Sequence, residues 1–187
     1  PASKPAHPET RIDANLLRGA KHIVAHVWGD KTTLRVIFAL SWCMVVSSVY
    51  MAQFANFAEE VVGANNEVYT LFLAVFSLGI AAGSLLCDSF LGGEISPKLA
   101  PFAALGISLF TYALVLAAPD AAHKELLDAG TFFSYPAALE LLAYMFLVAL
   151  CGGMYLVPLY ALLQARAQAQ YRSRVIAASN LSDSVFM

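Results

Sequence analysis

The sequence is poor in charged residues, which make up 13% of its 187 positions, against about 25% in an ordinary soluble domain. Hydrophobic residues make up 59%, and the mean hydropathy is +0.66. A globular protein of about this size still exposes roughly 30% of its unfolded-chain surface, so it could not bury this much apolar side-chain area. The composition therefore counts strongly against a soluble enzyme.

A basic excess and a cysteine framework are also missing. The formal net charge is -2, so the chain has no surplus of Lys and Arg to neutralise phosphates, and we expect no nucleic-acid partner. The cysteines are odd in number and lie within or at the edge of apolar runs, at Cys43, Cys87 and Cys151. Their spacing fits neither a disulfide framework nor a zinc site. We expect buried thiols, and neither a metal nor another cofactor.

Four long runs contain no Asp, Glu, Lys, Arg or His. A helix that crosses a hydrocarbon layer of about 30 Å needs about 20 residues, and each run has that length. Helix is the expected conformation because an open strand edge in lipid leaves backbone groups unpaired. The predicted spans are residues 36–58, 68–87, 99–119 and 139–165, the last of which begins two residues before its charge-free run at 141–165. A fifth span begins at 175 and is cut off at 187.

The distribution of Lys and Arg predicts the orientation of these spans. Six of the eleven precede the first run and three follow the fourth, whereas the first loop has none. Because cytoplasmic loops are enriched in Lys and Arg, we expect the N-terminal segment, the second loop and the last loop to be cytoplasmic. Residues 1–34 are predicted to be a cytoplasmic linker with an interfacial helix, and residues 35–187 part of a transmembrane bundle within a longer protein.

Polar side chains inside the spans are the candidates for a substrate cavity. Tyr50, Gln53 and Asn56 are spaced three apart in the first span and cover an arc of about 120°. The alternative for them is interhelical hydrogen bonding. Asn180 and Asp183 lie three apart in the truncated fifth span, where an ionisable group is costly unless it faces a cavity or a partner.

Small residues and one proline suggest where helices pack or bend. Gly79 and Gly83 in the second span predict the close approach of a neighbouring helix, with static packing favoured over a sliding contact. In the fourth span, Pro158 follows the pair Gly152 and Gly153. Proline removes a backbone hydrogen bond, so we expect a kink and a hinge in a helix packed inside the bundle.

Charged residues near the cytoplasmic ends are candidates for a gate. Asp88 lies at the end of the second span and could pair with a cytoplasmic arginine, although a solvated helix terminus explains it as well. Arg166, Arg172 and Arg174 follow the fourth span. They are candidates for the gate or for attracting a phosphate, and their role in setting the topology explains them equally well.

The third loop carries a pattern that resembles a catalytic motif. His123 and Asp128 have the H-x-x-x-x-D spacing of glycerolipid acyltransferases, but a loop of about twenty residues between two spans cannot supply the domain that such an enzyme needs. Asp120 is predicted to cap a short helix that ends at Gly130. No acid-base pair, activated nucleophile or metal cluster is evident, so we expect no catalysis within this chain.

Four strings resemble lysophospholipid transporters of the major facilitator superfamily. GGMYLVPLYALLQ at 152–164 and YRSRVIAASN at 171–180 resemble the tenth and eleventh helices. QFANFA at 53–58 and GSLLC at 83–87 resemble the seventh and eighth, particularly in members fused to an acyltransferase. The resemblance implies an all-α polytopic membrane protein comprising helices seven to ten, and the start of eleven, of a twelve-helix fold.

The same resemblance implies a function and its partners. A secondary transporter of this family moves lysophospholipid inward across the bacterial inner membrane by alternating access. Its partners are membrane lipid, the lysophospholipid and the other half of the transporter. Of the superfamily's cytoplasmic-loop motif only Leu86 and Asp88 are present, and the family usually has an uncharged residue near Asp183, so a changed substrate preference is open. The alternatives are the membrane portion of a transporter-acyltransferase, a facilitator for another amphipathic solute, or a scaffold.

Overall fold

The computed structural model describes residues 31–92, 96–118 and 128–166, and these are helical almost throughout. The helices are α1 (Lys31–Asn56) with a π-helical turn (Phe57–Val62), α2 (Asn66–Leu91), a 3-10 turn (Pro97–Leu99) with α3 (Ala100–Ala117), α4 (Ala129–Phe132) and α5 (Pro136–Arg166). The four long helices are long and apolar enough to cross a membrane. The described part of the chain is therefore all-α, and its four long apolar helices indicate a membrane-embedded protein, as predicted. The fifth span, at 175–187, lies outside the described residues.

The first long helix begins earlier than its charge-free run. Helix α1 starts at Lys31, so it includes residues 31–34, which the sequence assigned to the linker. Lys31 and Arg35 are exposed at this end. Their long side chains can reach water while the backbone continues as helix, which explains why a boundary drawn at the first uncharged residue falls too late. The rest of the predicted linker, residues 1–30, is outside the described part of the chain.

Helix α5 is the centre of the described bundle. It packs against α2 and α3 along much of its length and against α1 in its C-terminal half. Two apolar clusters fill these contacts. The Phe72 cluster includes Phe72, Phe132 and Met145, and the Leu40 cluster includes Leu40 and Leu163. The expectation that the helix containing Pro158 is packed inside a bundle is therefore confirmed.

Glycines bring the backbones of α2 and α5 into direct contact. A Cβ added at Gly79 would lie 2.6 Å from the Cβ of Ala149, and one at Gly83 would overlap the carbonyl oxygen of Leu150. On the other side of the contact, Gly153 lies directly against the backbone of α2. The predicted close approach at the small residues of the second span is confirmed, and its partner is α5.

The third loop ends in a helix whose position differs from the prediction. The Thr131 backbone N–H donates to the Asp128 carboxylate over 3.2 Å, so Asp128 caps α4. Hydrogen bonds from the Thr131 hydroxyl and backbone hold the pKa of Asp128 below its usual value. The prediction that a helix ends at Gly130 is wrong, because this cap starts a helix in which Gly130 is the second residue. Asp120 and His123 are outside the described residues.

Candidate functional site

A cavity lies at mid-height between α1, α3 and α5. Its volume is about 340 Å³, within the range of small-molecule sites. Most of its walls are apolar, and its polar groups are mainly hydroxyls. We call it the Tyr50 cavity, and its lining residues are Trp42, Cys43, Val46, Tyr50, Ala104, Ile107, Ser108, Thr111 and Tyr155.

The hydroxyl of Tyr50 joins α1 to α3. It is hydrogen-bonded to the hydroxyl of Thr111, which donates in turn to the carbonyl of Ile107 over 2.6 Å. A hydroxyl has one hydrogen to donate, so Tyr50 is the donor to Thr111. The Tyr50 ring packs edge-on against Phe54, with centroids 6.1 Å apart. Tyr50 thus lines a cavity and also makes an interhelical hydrogen bond, the alternative that the sequence left open. Its assignment to a substrate cavity stays a prediction.

A second tyrosine joins α5 to α1 at the other end of this cavity. The Tyr155 hydroxyl donates to the carbonyl of Ala39 over 3.2 Å. Tyr155 and Ala104 also line a neighbouring cavity of about 400 Å³, which we call the Arg35 cavity. Its other lining residues are Thr32, Arg35, Val36, Ala39, Pro97, Ala100, Pro101, Leu159 and Leu162. The two cavities are therefore neighbours, and the second is lined by an arginine near the start of α1.

The other cavity candidates of the first span lie elsewhere on α1. Gln53 and Asn56 are exposed and line neither cavity. Of the three polar residues on this arc, only Tyr50 therefore faces the Tyr50 cavity. The assignment of Gln53 and Asn56 to a substrate cavity stays a prediction, and Asn180 and Asp183 lie outside the described residues.

The proposed hinge residues differ sharply in their surroundings. Gly153 packs against α2, whereas a Cβ on Gly152 would meet no heavy atom within 4 Å. Gly152 lies between the part of α5 in the Phe72 cluster and the part in the Leu40 cluster. Pro158 is fully buried, and α5 continues as a helix through it to Arg166. Bending at this point stays a prediction.

The gate candidates are mostly beyond the described part of the chain. Asp88 is exposed near the C-terminal end of α2. Arg166 is the last residue of α5, and its side chain is not described. Arg172 and Arg174 lie in the undescribed segment that follows. Pairing of Asp88 with an arginine stays a prediction.

A third cavity, the Glu59 cavity, lies where α1 turns into α2. Its volume is about 290 Å³, and it is lined by Ala55, Ala58, Glu59, Ala64, Asn65, Asn66 and Tyr69. Four of the seven lining residues belong to the loop that the sequence places outside the membrane. The cavity was not foreseen, because the π-helical turn that shapes it has no local sequence signature.

The predicted cysteine state is confirmed, and a metal centre is not found in the described ranges. Cys43, Cys87 and Cys151 are buried and free. Within residues 31–92, 96–118 and 128–166, no group of three or more His, Cys, Asp or Glu side chains could hold a metal ion.

Sequence reasoning missed two residues of the Tyr50 cavity. Thr111 is one of few polar residues in the third span, and Tyr155 lies within the string that resembles the tenth helix. Each had the signal that singled out Tyr50, a polar group inside an apolar run. What the sequence lacked was the partner, which depends on how the helices are rotated.

Comparison with known proteins gives no relative for this chain. No family model, curated protein or solved structure matches it.

Proposed function

We propose that this chain is part of a secondary transporter that carries lysophospholipid inward across a bacterial inner membrane by alternating access. In this proposal, α1, α2, α3 and α5 are helices seven to ten of a twelve-helix major facilitator fold, and the rest of that fold completes the substrate path. The chain itself breaks no bond.

The observation that carries the proposal is the composition of the Tyr50 cavity. Its walls are apolar, with the hydroxyls of Tyr50, Thr111 and Tyr155 among its polar groups. The neighbouring Arg35 cavity shares Ala104 and Tyr155 with it, and Arg35 has no salt-bridge partner among the described residues. An apolar path with a cation at one end suits an amphiphile that has one acyl chain and a phosphate. A sugar or an amino acid would need more hydrogen-bonding groups along the walls.

The same cavity is also compatible with a second class of solute. Hydroxyls and a single arginine do not select one head group, so a facilitator for another amphipathic anion is the alternative. The membrane portion of a transporter-acyltransferase is a further alternative, in which the acyl transfer takes place in a domain outside this chain.

The test is a transport assay on the full-length protein in proteoliposomes, with labelled lysophosphatidylethanolamine. Ala104 lines both cavities, and Leu105 beside it is exposed on α3. We expect Ala104→Trp to fill the path and reduce the initial rate of uptake at least about tenfold, a barrier increase of about 1.4 kcal/mol. Leu105→Trp should transport at the wild-type rate.

Three results would contradict the proposal. Equal rates for Ala104→Trp and Leu105→Trp would remove the cavity from the substrate path. Ester formation without carriage would favour a membrane-embedded acyltransferase. No carriage of any labelled amphiphile by the wild-type protein would favour a scaffold.

A further inference from the structure

The Glu59 cavity is formed by an irregular backbone rather than by two straight helices. The π-helical turn ends at Gly63, which has a positive φ of 72°. The Ala64 N–H donates back to the Ala58 carbonyl over 2.8 Å. The chain thus reverses within a few residues, and π-helical turns occur frequently at functional sites.

The side chains of this cavity divide into a small apolar floor and a polar rim. Ala58 and Ala64 are almost completely buried, and their methyl groups leave the space open. Asn65 is occupied as the cap of α2, because its side-chain oxygen accepts from the N–H groups of Glu67 and Val68. The cap holds the rim in place.

The rim also presents acceptors that have no partner among the described residues. Among residues 31–92, 96–118 and 128–166, the side chains of Glu59, Asn66 and Tyr69 make no hydrogen bond or ion pair. Glu59 supplies a carboxylate, Asn66 an amide oxygen and Tyr69 a hydroxyl and a ring face. No Lys or Arg occurs in the sequence between Arg35 and Lys98, so the rest of α1, the π-helical turn and α2 supply no counter-ion.

We propose that the Glu59 cavity binds the primary ammonium group of a zwitterionic lipid head group. An ammonium has three N–H donors and no acceptor, which matches the three acceptors on the rim. The carboxylate supplies a charge-assisted bond, and the Tyr69 ring can add a cation-π contact. This inference rests on the proposed function, since this end of α1 is the predicted outer side, where an inward carrier meets its substrate.

The test measures binding of the head group without its acyl chain. The full-length protein in detergent is titrated with glycerophosphoethanolamine, and the rise in melting temperature gives an apparent dissociation constant. Glu59→Gln keeps the shape of the side chain and removes the charge. We expect it to weaken binding up to about fivefold, because Glu59 is exposed and water screens an exposed ion pair.

Glu60 provides the matched control. It is exposed on the same turn but does not line the cavity, so Glu60→Gln changes the net charge equally and should leave the dissociation constant unchanged. Glycerophosphoglycerol, which has the phosphate but no ammonium, should give a much smaller shift with every variant.

Several results would overturn the inference. Equal weakening by Glu59→Gln and Glu60→Gln would indicate a general charge effect. Equal shifts with glycerophosphoglycerol would remove the ammonium as the recognised group, and equal shifts with sodium or calcium chloride would indicate an inorganic cation. This assay involves no transport, so it can be read separately from the uptake assay. Glu59-dependent binding in a protein that fails the uptake assay would overturn the proposed function alone. Uptake without Glu59-dependent binding would overturn this inference alone.

Discussion

The contacts of α2 and of α1 with the central helix α5 are built in different ways. Helix α2 meets α5 through glycines, so that backbone atoms touch. Helix α1 meets α5 through side chains of the Leu40 cluster and the hydrogen bond from Tyr155 to Ala39, and a cavity lies next to these contacts. Lipid supplies no hydrophobic driving force between helices, so the closeness of packing decides the strength of association. We infer that α2 and α5 form the more tightly packed pair and that the contact between α1 and α5 is the weaker one.

The largest expected effect is that of alanine at two adjacent positions of α5. Gly153→Ala places a methyl group against the backbone of α2, and overpacking of this kind costs about 1–3 kcal/mol. Gly152→Ala meets open space and should stabilise the helix by about 1 kcal/mol or less. The effects of both substitutions are measured as changes in the free energy of unfolding in mixed detergent micelles. Equal destabilisation by the two variants would mean that the α2–α5 contact is no tighter than the rest of the bundle.

A smaller effect is expected at the hydrogen bond between α1 and α3. Tyr50→Phe keeps the ring contacts with Phe54 and Phe76 and removes the hydroxyl bonded to Thr111. Such bonds in membrane proteins contribute about 0.6 kcal/mol on average.

A double-mutant cycle with Thr111→Val isolates the interaction between Tyr50 and Thr111. The bond from Thr111 to Ile107 is lost both in Thr111→Val and in the double variant, so its contribution cancels. Tyr112→Phe, on the exposed face of α3, is the control and should leave the free energy of unfolding unchanged. A coupling energy near zero would show that the Tyr50 hydroxyl does not hold α1 in place.

The sequence predicted the long helices but not their rotations. A span is defined by its length and its lack of charge, and neither depends on the helices that pack against it. The four spans were therefore predicted, although their ends differ from those in the structure. That Gly153 and not Gly152 contacts α2 depends on the rotation of α5, since neighbouring helical residues point about 100° apart. The pairing of Tyr50 with Thr111 depends on two such rotations, and neither is encoded in a local pattern.

The same reasoning explains what was missed at the outer turn. The sequence places Glu59 and Asn65 in one short loop, and an Asn before a helical run fits a helix cap, but neither residue was predicted to form a site. The π-helical turn inserts an extra residue into the helix without a composition signal. It decides which acidic side chain lines the cavity, so Glu59 and Glu60 could not be told apart from the sequence.

The most direct measurement asks whether α2 crosses the membrane. Glu60 precedes α2 and Lys98 follows it, and both are exposed, while the three native cysteines are buried, so the wild-type protein is the blank. Glu60→Cys and Lys98→Cys are labelled with a membrane-impermeant maleimide in sealed spheroplasts and again after permeabilisation. We predict labelling of Glu60→Cys in sealed spheroplasts, and of Lys98→Cys after permeabilisation only. Labelling of both from the same side would contradict a membrane-spanning α2 and, with it, the transporter proposed here.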